Sequence, residues 1–165
     1  MNRPLQREIT RMVNKDQRMR THGPWDSSID KNNAQKLKKI IKKFGWPTVK
    51  LVGVRGATGA WLLAQHADHD VRFQEQCLKM LQVSLVSKLV PRWHYAYLYD
   101  RIQVHRGKKQ LFGTQFYMTK NKRFIPRPIY KIKKLRQRRK EFGLEEFDAY
   151  LQQMQHVKER IQKNK

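Results

Sequence analysis

Residues 61–74, Trp-Leu-Leu-Ala-Gln-His-Ala-Asp-His-Asp-Val-Arg-Phe-Gln, set two histidines, two aspartates and two glutamines at the junction of two apolar helical patterns. Polar groups beside a core cost free energy unless they are paired or used. Any fold that closes these patterns must therefore satisfy this stretch or expose it at a site. A second polar cluster, Asp100-Arg101 with Gln110 and Gly113-Thr114-Gln115, follows after one more helical pattern. The expectation is that the two clusters meet and line one accessible pocket.

The remaining periodicities predict a mainly helical α+β fold, a single domain with a small antiparallel β-meander packed on helices. Leu5, Ile9, Met12 and Val13 mark an amphipathic helix over 4–17, with Arg3, Arg7, Arg11 and Lys15 on its other face. Residues 22–30 read as a loop, and Asp30 as the cap of a helix carrying Leu37, Ile40, Ile41 and Phe44 and stopped at Gly45. Gly53, Gly56 and Gly59 lack the Gly-Lys-Ser/Thr ending of a phosphate loop, so close helix packing is the better account. A helix over 57–67 follows, then one over 71–88 with Asp70 as its cap and Val71, Leu78, Leu81 and Leu85 inward. Cys77 on that helix reads as a buried small hydrophobe. Pro91 opens a short helix to Leu98. Alternation from Ile102 onward predicts strands, with Gln110, Phe112, Thr114 and Phe116 on one face and Leu111, Gly113, Gln115 and Tyr117 on the other. Two helices close the chain, over 131–142 (Ile132, Leu135, Phe142) and 145–162 (Phe147, Leu151, Met154, Val157, Ile161). The expected organisation is a basic N-terminal arm (1–29), a core (30–151) and the end of a basic helix (152–165).

Thirty-seven Lys and Arg against thirteen Asp and Glu give a formal charge of +24. Such a field favours anionic partners, RNA or DNA among them, and a lysine- and arginine-rich solvated surface is the plainer alternative. Between Lys120 and Lys140 lie eleven basic side chains and no acidic one, which makes this stretch the expected anion face. A single cysteine excludes an internal disulfide and fits a reducing, cytoplasmic setting. No apolar run approaches the roughly 20 residues of a transmembrane helix, and the N-terminal residues lack a signal-peptide apolar region.

His66, Asp68, His69 and Asp70 could ligate a divalent metal, but their spacing matches no zinc motif, so no metal ligand is assigned. Asp70 reads as a helix cap and His69 as exposed. A histidine at a helix end beside a carboxylate can be fixed in one tautomer and act as general acid or base, and a satisfied core histidine is the alternative. The expected catalytic set is His66, Asp68, Asp100 and Arg101. His66 would move a proton, Asp68 or Asp100 would orient it, and Arg101 would hold an anionic group, unless it only ties helix to sheet. Gln65, Gln74, Gln110, Thr114 and Gln115 are the expected substrate-binding side chains. A buried hydrogen-bond network serving the fold alone would use the same residues.

These pieces carry a resemblance. Gly45-Trp46-Pro47, Leu51-Val52-Gly53, Ala60-Trp61-Leu62 and Gln65-His66-Ala67-Asp68 occur in order. Phe73-Gln74, Ala96-Tyr97-Leu98-Tyr99-Asp100-Arg101 and Gln110-Leu111-Phe112-Gly113-Thr114-Gln115 continue the series, and Ile125-Pro126-Arg127-Pro128-Ile129 and Arg138-Arg139-x-x-x-Gly143-Leu144 extend it. Over about residues 30–151 the chain resembles the bacterial domain-of-unknown-function family 6624. The resemblance implies a shared polar set of Gln65, His66, Asp68, Gln74, Asp100, Arg101, Gln110, Thr114 and Gln115, and it leaves any cofactor unspecified. The chain departs from the family in its basic excess. The function expected is a hydrolase or transferase acting on an anionic, phosphate-containing substrate. The alternative is a non-catalytic nucleic-acid-binding protein that grips phosphates with Lys131 to Lys140 and the N-terminal arm.

Overall fold

Apolar residues three and four apart bury one face of the first helix, α1 (Arg3–His22), along Leu5, Ile9, Met12 and Met19, with Asp16 in the same stripe. The computed structural model describes residues 1–121 and 123–163, the side chains as far as residue 156. The side chain of Asn2 accepts the Leu5 N–H at 3.0 Å and starts α1, which runs five residues beyond the expected Gln17. The second helix, α2 (Ser27–Phe44), is capped by Asp26, whose Oδ1 accepts the Ser28 N–H at 2.9 Å. The cap is therefore not Asp30, which lies inside the helix on its buried side. Gly45, at φ 72°, closes α2 as expected.

The third helix, α3 (Val49–Gln65), is kinked at Gly53, whose φ of 72° interrupts the helical conformation. Its two later glycines answer to packing: a Cβ on Gly56 would meet Val52 at 2.7 Å, and one on Gly59 would meet Ile9 and Val13 at 3.0 Å. Gly59 thus lets α1 and α3 approach closely, as the packing account expects, whereas Gly56 answers to Val52 of its own helix and Gly53 to its positive φ. Gly59→Val is expected to destabilise the chain by about 2 kcal/mol through overpacking. A urea midpoint equal to that of the parent chain would refute it.

Helix α4 (Val71–Val86) starts at Asp70, whose Oδ1 accepts the Phe73 N–H at 2.9 Å. Its buried stripe is Phe73, Gln74, Cys77, Leu81 and Ser84, turned by about one residue from the expected one. Cys77 is fully buried, and burial pushes its thiol far above the ordinary range, so it is a packing residue.

Helix α5 (Arg92–His105) continues through Ile102 and Val104, where strand was expected. Asp100 and Arg101 therefore sit within a helix and not at its exit. The chain forms two compact units that divide inside α5, Met1–Leu98 and Tyr99–Lys165.

In the second unit the sheet is one antiparallel pair, β1 (Phe116–Met118) with β2 (Phe124–Pro126), in register Tyr117 opposite Ile125. The expected longer meander is shortened to this hairpin: the Asp100 and Gln110 side chains take the N–H groups of residues 111, 112, 114 and 115, and Gln110 pairs with the 128–130 segment only as an isolated parallel bridge. A 3-10 turn (Ile132–Lys134) leads into α6 (Leu135–Glu141), and α7 (Phe147–Lys163) follows. Ile132 was expected in the core and is 60% exposed, since its turn precedes the buried Leu135. Val157 and Ile161 of the expected last stripe lie outside the described side chains. Among the described residues no helix is long and apolar enough to cross a membrane.

Candidate active site

Asp16, Arg20, Asp30 and His66 form a cluster of charged groups in the first unit. Asp16 reaches it because it occupies a core position of α1, and Arg20 follows one turn later on the same face. Asp30 comes from the buried side of α2, and His66 ends α3. Nδ1 of His66 lies 2.9 and 3.0 Å from the two carboxylate oxygens of Asp16. A carboxylate at that distance is the strongest nearby acceptor, so the ring proton belongs on Nδ1 and Nε2 is left as the basic nitrogen.

Arg20 completes the cluster. Its Nε lies 3.1 Å from Nδ1 of His66 and donates to Asp16 Oδ1 at 3.3 Å, and a terminal nitrogen donates to Asp30 Oδ1 at 2.7 Å. The Gln17 amide donates to the other oxygen of Asp16 at 2.7 Å. The exposed ring of Trp25 covers the guanidinium at 4.8 Å.

Two carboxyls so close respond differently. Burial alone would raise Asp16, but the hydrogen bond and charge of His66, with Gln17 and Arg20, hold it below the usual range. Burial raises Asp30, and the nearby Arg20 offsets only part of this. The two shifts run in opposite directions, so Asp16 is the more acidic of the pair. The ligand atoms of Asp16, Asp30 and His66 all lie within 4.8 Å of one another, close enough to share a divalent cation. In the structure the Arg20 guanidinium supplies the positive charge among them.

The sequence-predicted residues distribute as follows. His66 joins this cluster, while Asp68 is exposed and accepts from the Gln74 amide at 3.2 Å. Gln74 also donates to the Ala64 and Gln65 carbonyls at 3.1 Å, tying α4 to the end of α3. Gln65 is buried, and neither polar atom of its side chain finds a partner among the described residues. His69 is exposed and Asp70 caps α4, as expected.

In the second unit, Asp100 is fully buried and receives the backbone N–H groups of Leu111 (2.7 Å), Phe112 (3.1 Å) and Thr114 (3.0 Å) and the Thr114 hydroxyl (3.1 Å). Burial raises its carboxyl more than these donors lower it. Gln110, also fully buried, donates to the Gln115 and Arg127 carbonyls at 3.0 and 2.8 Å and accepts the Gln115 N–H at 2.8 Å. The Gln115 amide donates to the Thr114 hydroxyl at 3.1 Å, and Arg101 is half-buried on α5. Gly113, at φ 69°, lets the loop turn where a Cβ would meet Phe147 at 2.7 Å. Two of the basic side chains expected on the anion face act within this unit. Arg138 donates to the Leu111 and Tyr130 carbonyls at 2.7 Å. Arg139, buried against Phe147 and Tyr150, donates to the Phe112 carbonyl at 2.7 Å.

Asp16, Arg20 and Asp30 escaped the sequence reading. One signal for Asp16 was present: it stands in register with Leu5, Ile9, Met12 and Met19, where a carboxylate needs a buried partner. The family pattern described as "Family of unknown function (DUF6624)" matches residues 4–159, which takes in all four residues of the cluster. No curated protein and no solved structure matches the chain.

Proposed function

This chain belongs to the family of unknown function DUF6624, and we propose that it is an acid–base enzyme, a hydrolase or transferase acting on an anionic, phosphate-containing substrate at the Asp16–His66 pair. The observation that carries this reading is the contact of His66 Nδ1 with both carboxylate oxygens of Asp16. It leaves Nε2 to take a proton from water or from an attacking hydroxyl and to return it to a leaving group. Asp16 stabilises the imidazolium formed in between. Arg20, half-buried beside the ring, offsets negative charge that develops on the substrate. Asp16 thus takes the orienting role that sequence reasoning gave to Asp68 or Asp100, and Arg20 the anion-holding role given to Arg101.

Purified wild-type, Asp16→Asn and His66→Gln chains can be compared on para-nitrophenyl phosphate and its diester. The wild type is expected to turn over at least one of them. Both variants are expected to lose about 10²- to 10⁴-fold in kcat with their far-UV circular dichroism unchanged. Turnover that survives in folded His66→Gln would overturn the assignment.

A further inference from the structure

A groove runs between α1 and α2, opening as adjoining cavities of about 560, 400 and 230 Å³. Glu8, Arg11 and Lys36 border both of the larger two, and Lys15, Asn33 and Lys36 border both of the smaller two, so the three are continuous. Lys39 and Lys43 carry the α2 wall onward, and all five basic side chains are exposed. Glu8 is the one acidic lining residue among those described. A second feature points the same way. The Asn33 side chain is 5% exposed, and its amide nitrogen has no acceptor among the described residues. A buried donor without an acceptor is costly, and a ligand oxygen would relieve it.

We propose that this α1–α2 groove is a binding track for the phosphodiester backbone of a nucleic-acid strand. The cations stand one helical turn apart on both walls: Arg11 and Lys15 on α1, Lys36, Lys39 and Lys43 on α2. A row of regularly spaced positive charges suits an anion that repeats along its length better than one that carries its charge at a single point. The assignment differs from an anion face over Lys120 to Lys140, where Arg138 and Arg139 serve backbone carbonyls. It is independent of the acid–base reading, since none of the groove's cations belongs to the Asp16–His66 cluster.

Fluorescence anisotropy with a fluorescein-labelled, mixed-sequence single strand tests it on the full chain. The wild type is expected to bind at about 50 mM salt, with log K falling by about 0.7 per log salt for each phosphate contacted. Reversing four groove charges (Arg11→Glu, Lys15→Glu, Lys36→Glu, Lys39→Glu) is expected to weaken binding by at least about tenfold. The same change of net charge in the second unit (Lys133→Glu, Lys134→Glu, Arg136→Glu, Lys140→Glu) is expected to cost less than about threefold. Equal losses in the two folded variants would overturn the proposal, as would absent wild-type binding. So would an equal dependence on the groove charges for binding anionic phospholipid vesicles. His66→Gln should keep the affinity, so the failure of one reading leaves the other standing.

Discussion

Asp100→Asn is expected to cost the second unit about 3–5 kcal/mol, the range found when one partner of a buried, charged hydrogen-bond set is removed. Three backbone N–H groups and one hydroxyl converge on the Asp100 carboxylate within 3.1 Å. All four are donors, and Asp100 is fully buried. An amide of the same shape offers one accepting oxygen and turns two further N–H groups toward donors. At least one backbone N–H of residues 111–114 is then left without an acceptor. The loop cannot recover by pairing as a strand, because Gln110 already holds the Gln115 N–H and the Gln115 and Arg127 carbonyls. Amide hydrogen exchange reads the effect directly: residues 111, 112 and 114 should lose most of their protection in the variant. Full retention of protection, with an unchanged urea midpoint, would show that the carboxylate does not organise this loop.

The same loop shows why part of the fold was legible in the sequence and part was not. Helices α1, α2 and α4 announce themselves, because one apolar face repeats every three or four residues and Asp70 and Gly45 stand where a cap and a stop belong. Residues 110–115 also alternate in polarity, and alternation predicts a strand. What determines their conformation is a carboxylate one helix earlier that takes three of their N–H groups. A single sequence gives no sign of which distant side chain will do so. The charge cluster was half legible for a similar reason. His66 drew notice because it stands among other polar residues at a helix end. Asp16 was given no role, although its spacing from Met12 and Met19 placed it on the buried stripe. Asp30 was read as a cap because it precedes an apolar pattern, yet Asp26 does that work one turn earlier. The polar groups of a site come from elements far apart in the chain, so each is judged locally as a cap or a surface residue until the fold brings them together.

A second expected result concerns His94, which is fully buried in the first unit. Its ring lies parallel to Trp61 at 4.9 Å and edge-on to Trp93 at 4.1 Å, and the Trp61 Nε1–H donates to the His94 carbonyl at 2.8 Å. Neither ring nitrogen has a partner among the described residues. Burial among aromatic rings disfavours the imidazolium and lowers His94 from 6.5 to about 3. The sign of the pH dependence follows. Between pH 6.5 and about 3 the unfolded chain binds a proton at His94 that the folded chain refuses. Stability therefore falls as pH falls through that window, by about 1.4 kcal/mol per unit, and levels off below it. Asp16 adds to this at lower pH, since its depressed carboxyl contributes stability above 3.8 that is lost as pH falls through its folded value. The raised carboxyls of Asp30 and Asp100 act in the opposite sense, because their folded forms bind a proton more readily than their unfolded ones. His94→Phe keeps a flat ring against Trp61 and removes the titrating group. The variant is expected to exceed the parent chain by a margin that widens as pH falls, reaching about 4 kcal/mol near pH 3.5. Urea unfolding at a series of pH values measures that margin. Parallel curves for the two chains would mean that His94 finds a proton or a hydrogen-bond partner in the fold, and that acid sensitivity arises elsewhere.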